Sequence, residues 1–243
     1  DAFNDPALVA TLPAAALLYR QGHVREAITT YALSPGREPM FYQANSPDNS
    51  VAARTASEKG KLVVVMPKTP ELPWLKNGQI PPNAKAIQNL NQPMIDSNAT
   101  EVLSDTGEIR RNWVKGIYTV NTPRTQAAMG WIGNEPIILP DVTFDLKTRN
   151  ATVAVQSLDG APINLSSSLL ISLGARSVPS TGSTLPFRSE PVLGQLTIRA
   201  PKGLRLYKRT LYQQEKEIPV KYGDGKYAVD LDASRGTSWL FLK

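Results

Sequence analysis

Short apolar runs separated by turn residues fill the chain from about residue 95 to its end. Many of these runs alternate apolar with polar side chains, which is typical of half-buried strands. About ten short strands at this spacing favour an antiparallel β-sandwich of the immunoglobulin or jelly-roll type. The predicted strands are 117–120, 125–132, 142–148, 151–158, 168–176, 194–200, 204–209, 217–222, 226–231 and 238–242.

Proline and glycine limit the length of any regular element. The 243 residues include 20 Pro and 16 Gly, which favours many short elements over a few long helices. Two turns carry a specific hairpin signal. Asp224 with Gly225, and Asp159 with Gly160, supply residues that tolerate the positive φ angles of a type I′ turn. The sequence therefore predicts a mainly β fold.

The first residues of the chain carry helical signals instead. Asp5 before Pro6 is a good helix N-cap, and apolar residues then recur at three- and four-residue spacings. Because Pro13 interrupts this pattern, we expect two short helices or a kink. Gly22 suits the end of the second piece, and a further helical turn or two is expected over 24–31.

The next segment mixes short elements with a proline-rich connector. A short helix is predicted over 50–59, ending at Gly60. The run KLVVVM at 61–66 predicts a strand covered on both faces, since it is continuously apolar. Repeated prolines over 67–92 exclude long regular structure there. The predicted domains are a helical, strand and connector segment over 1–94 and an antiparallel β-sandwich over 95–243.

Residue types that commonly carry catalysis are scarce or scattered. The chain has no Cys, and its only histidine, His23, follows a predicted helix end, where a surface position is expected. Glycine-rich phosphate loops are absent from the sequence. Acidic residues mostly lie in polar turns, where carboxylates such as that of Asp159 are expected to be solvated. We predict no catalytic residue, metal site or cofactor in this chain; scattered carboxylates leave a surface calcium ion as an alternative: Asp96, Asp105, Asp141 and Asp145.

Aromatic residues are the remaining candidates for binding, because sugar rings stack on exposed Trp and Tyr faces. Three of them fall within one thirty-residue stretch over 104–133, and one lies in the proline-rich connector. Trp131 and Trp239 lie in apolar strands, where packing in a core or between domains is the more common role. The predicted carbohydrate-binding residues are Trp74, Trp113, Tyr118 and Trp131.

Charge suggests a further class of partner. The net charge is +6 and the isoelectric point is about 9.5, as expected of some proteins that bind anionic polymers. However, Lys and Arg are spread along the chain without the interleaved aromatics of a single-strand nucleic-acid groove. A mildly basic solvated surface is therefore favoured, and no nucleic-acid partner is predicted. No apolar run reaches the roughly 18 residues that a membrane-spanning helix needs.

Three segments together resemble a known family of enzymes. SDTGE at 104–108, GIYTV at 116–120 and TPRTQA at 122–127 resemble the C-terminal regions of large bacterial glycoside hydrolases. These enzymes have a cellulase-like or β-galactosidase-like (β/α)8 catalytic barrel followed by accessory β-domains. Residues 153–178 resemble the next strands of that region, and residues 5–27 resemble the segment that closes the barrel.

The resemblance implies a non-catalytic role for this chain. The family's catalytic glutamates lie near the C-terminal ends of barrel strands, which would precede Asp1. The chain is thus expected to be a fragment, a processed product or a separate subunit of a carbohydrate-active enzyme, and its partner is expected to be the barrel. Arg124 is a candidate for docking on that barrel, with a solvent-facing turn arginine as the alternative. The resemblance favours a bacterial periplasmic or extracellular location, with the cytoplasm as the alternative.

Overall fold

The computed structural model describes residues 5–34, 49–65, 80, 82–181, 184–209, 215–233 and 237–243. By contact, the chain forms two compact units. The sandwich unit combines Asp1–Val24 with Lys115–Lys243, and the parallel-sheet unit is Arg25–Val114. These units differ in extent from the sequence-based ranges, because the N-terminal helix packs against strands of the C-terminal sandwich.

Two α-helices and nineteen strands lie within the described residues. The helices are α1 (Pro6–Arg20) and α2 (Val51–Ser57). The strands are β1 (Thr30–Leu33), β2 (Lys61–Val64), β3 (Lys85–Ile87), β4 (Glu101–Leu103), β5 (Ile109–Asn112), β6 (Ile117–Asn121), β7 (Thr125–Gly130), β8 (Ile137–Ile138), β9 (Val142–Leu146), β10 (Ala151–Ser157), β11 (Leu169–Ala175), β12 (Ser177–Thr181), β13 (Thr184–Ser189), β14 (Gly194–Arg199), β15 (Leu206–Arg209), β16 (Glu215–Ile218), β17 (Lys221–Gly223), β18 (Lys226–Leu231) and β19 (Trp239–Leu242).

The sandwich unit contains two antiparallel sheets, and this confirms the predicted mainly β fold. One sheet has the strand order β16-β15-β19-β11-β10-β7-β6, and the other has the order β17-β18-β14-β9-β8. Strands β12 and β13 form a separate hairpin. Apolar side chains from both sheets form one core; its fully buried members include Phe144, Ile171, Leu196, Val229 and Leu240.

Burial patterns explain why some strands alternate and others do not. Strands β9 and β18 alternate buried with more exposed residues, because only one face of each meets the core. Strands β10 and β11 are buried along nearly their whole length. Their second face lies under α1, which contacts both strands. This cover accounts for the continuous apolar run at the start of β11.

Helix α1 is one element that continues through Pro13, so the prediction of two separate helices was wrong. Asp5 caps it through hydrogen bonds that its carboxylate accepts from Ala7 N and Leu8 N. Gly22 follows its end with a φ of 60°, as predicted. Pro13 removes one backbone hydrogen bond from the helix. Sheet contacts offset this loss, since the Trp239 indole donates to the carbonyl of Ala10 at 2.9 Å.

One of the two predicted hairpin turns is confirmed, at the position where both turn residues have positive φ angles. Asp224 has a φ of 52° and Gly225 a φ of 75° between β17 and β18, which confirms that prediction. The turn at Asp159 and Gly160 differs, because of the two residues only Gly160 has a positive φ, at 80°. This second prediction was wrong in its turn type, and the Asp159 side chain supplies the reason, described below.

The parallel-sheet unit contains a small α/β motif and one hairpin. Strands β2, β1 and β3 form a parallel sheet in that order, with α2 between β1 and β2 in the chain. Strands β4 and β5 form an antiparallel hairpin. Ser50 caps α2 by accepting a hydrogen bond from Ala53 N. The small core contains Tyr31, Leu33, Ala52, Ala53, Ala56 and Ile87.

Two expectations for this unit hold and two fail. The helix over 50–59 and the strand beginning at Lys61 are confirmed. Residues 24–31 form no further helix, because β1 begins at Thr30 and pairs in parallel with β2. Strand β2 is not covered on both faces, since Val64 is 38% exposed. Most of the predicted connector, 67–79 and 81, lies outside the described residues, and β3 falls within the remainder.

Candidate functional site

Three neighbouring strands of the first sheet end side by side in the sandwich unit. Gly130 in β7, Ala151 in β10 and Ala175 in β11 lie opposite one another in register. The residues directly beyond these positions are Trp131, Asn150 and Arg176. The register therefore brings an aromatic, an amide and a guanidinium side chain to one edge of the sheet, although they are far apart in sequence.

A groove of about 520 Å³ lies along this edge. The N-terminal half of α1 forms one wall, through Thr11 among others. We call it the Trp131 groove; the side chains that give it its chemical character are Thr11, Trp131, Arg149, Asn150, Arg176 and Glu190.

Trp131 is held in a fixed position with its indole half exposed, at 50%. Its backbone N–H donates to Gly116 O at 3.1 Å, and the next residue, Ile132, is fully buried in the core. The chain bends at Trp131 directly after β7, and Ile132 N donates to Gly130 O at 2.9 Å in this tight turn. Gly116 has a φ of 63°, and a Cβ at that position would lie 2.5 Å from Trp131 Cδ1. The indole thus lies directly against a glycine backbone.

Arg149 is tied to the same segment. Its carbonyl accepts a hydrogen bond from Gly133 N at 3.1 Å. A side chain at Gly133 would clash, because its Cβ would lie 2.3 Å from Thr148 O. Within the described part of the chain, the exposed Arg149 guanidinium has no hydrogen-bond or ion-pair partner.

Arg176 and Glu190 form a loose pair on the other side of the groove. Arg176 Nε lies 3.9 Å from Glu190 Oε2, and both side chains are largely exposed. At this distance the pair contributes little to stability, so either group is free to exchange its partner for a ligand. Glu190 is the one carboxylate among the described residues that line the groove.

The structure brings one of the predicted aromatic residues to this groove. Trp113 belongs to the parallel-sheet unit, is 37% exposed, and has the Arg111 guanidinium 5.7 Å from its ring centroid. Tyr118 lies on β6, half-buried. Trp74 lies outside the described residues. Trp239 is half-buried and donates to α1, which fits the packing role considered for it.

Arg124 lies in the tight corner between β6 and β7. Its guanidinium donates to the carbonyl of Gly22, just beyond the end of α1. The neighbouring Thr125 hydroxyl pairs with His23 Nδ1 at 2.8 Å and accepts from Gln156 Nε2 at 3.1 Å. The corner therefore fastens the end of α1 to the sheet, and a docking role for Arg124 stays a prediction.

His23 is buried, with 3% of its surface exposed, so the expectation of a surface residue was wrong. The hydrogen bond to Thr125 spans 102 residues of sequence and was not foreseeable from a helix-end position. Burial of the imidazole lowers the pKa of His23, and the positive charge of Arg124 lowers this pKa further. Its Nε2 atom is buried without a hydrogen-bond partner, so protonation there gains no hydrogen bond.

The lowered pKa of His23 predicts a loss of stability in mild acid. The unfolded chain takes up a proton near pH 6.5 and the folded chain only at lower pH, so the unfolded state binds more protons between these values. The free energy of unfolding should therefore fall as the pH drops below about 6.5, by at most about 1.4 kcal/mol per pH unit. Urea denaturation between pH 7.5 and pH 5.5 measures this slope. His23→Gln, which removes the only histidine, should flatten it; an unchanged slope would contradict the assignment.

Asp159 is an exposed turn residue, as expected, but its carboxylate also has a structural role that was not predicted. It accepts hydrogen bonds from the hydroxyls of Ser157 and Ser166, both at 2.8 Å, and from the amide and hydroxyl of Ser167, at 2.8 and 2.9 Å. Burial raises the pKa of Asp159, but the hydrogen bonds from Ser166, Ser157 and Ser167 outweigh it and hold the pKa well below its usual range. These hydrogen bonds fix the conformation of the Asp159 loop, which therefore does not form a type I′ turn.

The SDTGE segment is likewise used for folding, in the parallel-sheet unit. Glu108 accepts hydrogen bonds from the backbone and side chain of Arg25, both at 2.7 Å. Asp105 accepts from Thr29 N. Two of its carboxylates thus hold the chain leading into β1. Within the described residues, no group of three or more His, Asp or Glu side chains is arranged to hold a metal ion.

Comparison of the chain with protein-family models, with curated proteins and with solved structures found no match. No helix in the described ranges is both long enough and apolar enough to cross a membrane. A functional assignment for this chain therefore depends on the Trp131 groove and on its sequence motifs.

Proposed function

We propose that this chain is a non-catalytic accessory part of a carbohydrate-active enzyme and that it binds glycan in the Trp131 groove. The observation that carries the proposal is the half-exposed indole of Trp131, fixed against Gly116 on the wall of a groove with polar side chains. Large exposed aromatic surfaces beside polar groups are typical of binding sites.

Sugar rings suit this combination of groups. The C–H bonds on one face of a pyranose ring carry partial positive charge and pack on the electron-rich face of an indole. Ring hydroxyls then need hydrogen-bonding partners at the sides, and Arg149 and Asn150 supply donors and an acceptor there. Because the indole lies directly against the Gly116 backbone, part of its rotamer freedom is already restricted before a ligand binds.

The assignment to a glycoside hydrolase is supported by the resemblance of the SDTGE, GIYTV and TPRTQA segments. In this chain the carboxylates of the first segment and the Thr–Pro–Arg–Thr corner of the third hold local structure. A family signature made of such residues would mark a fold rather than an active site. The catalytic barrel remains the proposed partner.

One observation favours docking of the parallel-sheet unit on such a barrel. Parallel sheets are usually covered on both faces, but Val64 in β2 is 38% exposed. Cover by a docked barrel would complete the burial of this strand, which is compatible with a structural supporting role in addition to glycan binding.

Affinity electrophoresis in gels containing soluble polysaccharides tests the proposal. We expect at least one polysaccharide to retard the protein, and Trp131→Ala to weaken retention roughly 30-fold or more, as for a central aromatic anchor. Trp113→Ala is the matched control, because it removes another part-exposed indole from the other unit. Equal retention of Trp131→Ala and wild type would refute the groove. Hydrolysis of aryl glycosides that disappears with a single Asp or Glu substitution would refute the non-catalytic role.

A further inference from the structure

We infer that the glycan bound in the Trp131 groove is anionic and that Arg149 and Arg176 bind the carboxylate groups of its uronate sugars. This inference rests on the proposed glycan-binding function and names the class of ligand. The evidence for it is the charged side chains at the groove, which are not needed to bind a neutral glycan.

Positive charge exceeds negative charge in the groove. Two guanidinium groups and one carboxylate are found among its described lining residues. Glu190 is 3.9 Å from Arg176, which partly offsets that charge. No hydrogen-bond or ion-pair partner of Arg149 lies among the described residues. A ligand carboxylate would complete this site.

Guanidinium groups are well suited to binding a carboxylate. Arginine presents planar, parallel N–H donors that match the two oxygens of a carboxylate, and such charge-assisted pairs are about twice as strong as neutral ones. Asn150 lies directly beside Arg149 and offers an amide to a neighbouring hydroxyl. The pair therefore recognises both parts of a uronate sugar, its carboxylate and its ring.

The spacing of the strands fits a chain of sugars rather than a single one. Trp131 follows β7 and Arg176 follows β11, and β10 lies between these strands in the sheet. Adjacent strands are about 4.8 Å apart, so these two backbone positions lie about 10 Å apart across the edge. This distance is longer than one sugar ring. A ring stacked on Trp131 thus leaves room for the carboxylate of a neighbouring sugar at Arg176.

Long-range electrostatics favour the same class of ligand. The net charge of +6 attracts an anionic polymer and speeds its association at low salt. Single-stranded nucleic acid is the competing polyanion, but it is usually bound on several successive aromatic platforms. Trp131 is the one aromatic side chain among the described residues lining the groove, and this favours an acidic polysaccharide.

Titrations with matched acidic and neutral polysaccharides test the inference. Polygalacturonate, alginate and hyaluronan are each compared with their own methyl esters, which keep the sugar backbone and remove its charge. We expect at least one acidic form to bind about tenfold or more tightly than its ester, and the difference to shrink at high salt. Arg149→Gln should weaken binding of that acid about tenfold and binding of the ester much less, so that most of the preference for the acid is lost. Lys202→Gln, which removes the same charge outside the groove, should change neither.

Three other outcomes would each refute a specific part of the two proposals. Equal affinity for acid and ester, with both lost in Trp131→Ala, would refute the anionic ligand and leave glycan binding intact. Failure to bind any polysaccharide would refute both proposals. Tighter binding to single-stranded DNA than to every acidic polysaccharide, unaffected by Trp131→Ala, would place the anion-binding surface elsewhere and refute the inference.

Discussion

Replacing Gln156 by alanine is expected to lower the free energy of unfolding by about 2–4 kcal/mol. Gln156 is fully buried in β10 beneath α1. Its amide donates to the carbonyl of Ala14 at 3.2 Å and to the hydroxyl of Thr125 at 3.1 Å. Alanine would remove the donor from both acceptors and leave a cavity between helix and sheet. The lost hydrogen bonds and the cavity would both weaken the attachment of α1 to the sheet.

Gln195 provides the matched control for this substitution. It also lies in a strand and donates to a side chain, Asp230, at 2.7 Å, but it is exposed. Gln195→Ala should therefore change the free energy of unfolding by no more than about 0.5 kcal/mol. Urea denaturation followed by circular dichroism measures both variants. Equal effects of the two substitutions would show that α1 is not held to the sheet through Gln156.

Replacing Gly116 by alanine is expected to remove most glycan binding, with a loss of about tenfold or more, while costing about 1–3 kcal/mol of stability. The new Cβ would lie 2.5 Å from Trp131 Cδ1, so the indole must leave its place. The positive φ of 63° adds strain for any residue with a side chain. The affinity for glycan should therefore fall by more than the loss of stability alone can explain.

The variant Gly22→Ala separates the effect of displacing the indole from the effect of backbone strain at a positive φ. Gly22 has a similar φ of 60°, but a Cβ there would meet no atom within 4 Å. This variant should lose stability through backbone strain, by about 1 kcal/mol, and retain wild-type glycan binding. Isothermal titration of both variants, with thermal unfolding of each, makes the comparison. If Gly116→Ala binds glycan as well as Gly22→Ala does, Trp131 does not need its present position.

The strands of the sandwich were predictable because their signals are local. Alternation and turn residues mark each run, and Asp224 with Gly225 marks its hairpin. Strands β12 and β13 escaped prediction, since their Ser-, Thr- and Pro-containing sequences lack clear apolar alternation. Strand β1 was not predicted, and its first two residues fall within the expected helical turn, because its pairing in parallel with β2 and β3 depends on distant segments. Parallel pairing leaves no turn signal between neighbours.

The candidate site was only partly predictable for a related reason. Trp131 was a candidate because sugar rings stack on exposed aromatic faces, although its apolar surroundings favoured a packing role. Arg149, Asn150, Arg176 and Glu190 carry no motif of their own. They meet Trp131 because β7, β10 and β11 are neighbours in one register, and a sequence pattern does not reveal that register. Burial of His23 depends on the same kind of distant contact, with Thr125.

The indole N–H signals of the protein test glycan binding at Trp131 most directly. The chain has four Trp, so a ¹⁵N-labelled sample should show four such signals, and Trp131→Phe identifies the one from Trp131. On titration with an oligosaccharide of a polysaccharide that retards the protein, we predict that the Trp131 signal shifts with saturation while that of Trp113 stays in place. A bound oligosaccharide that leaves the Trp131 signal unchanged, or shifts the Trp113 signal instead, would contradict the account.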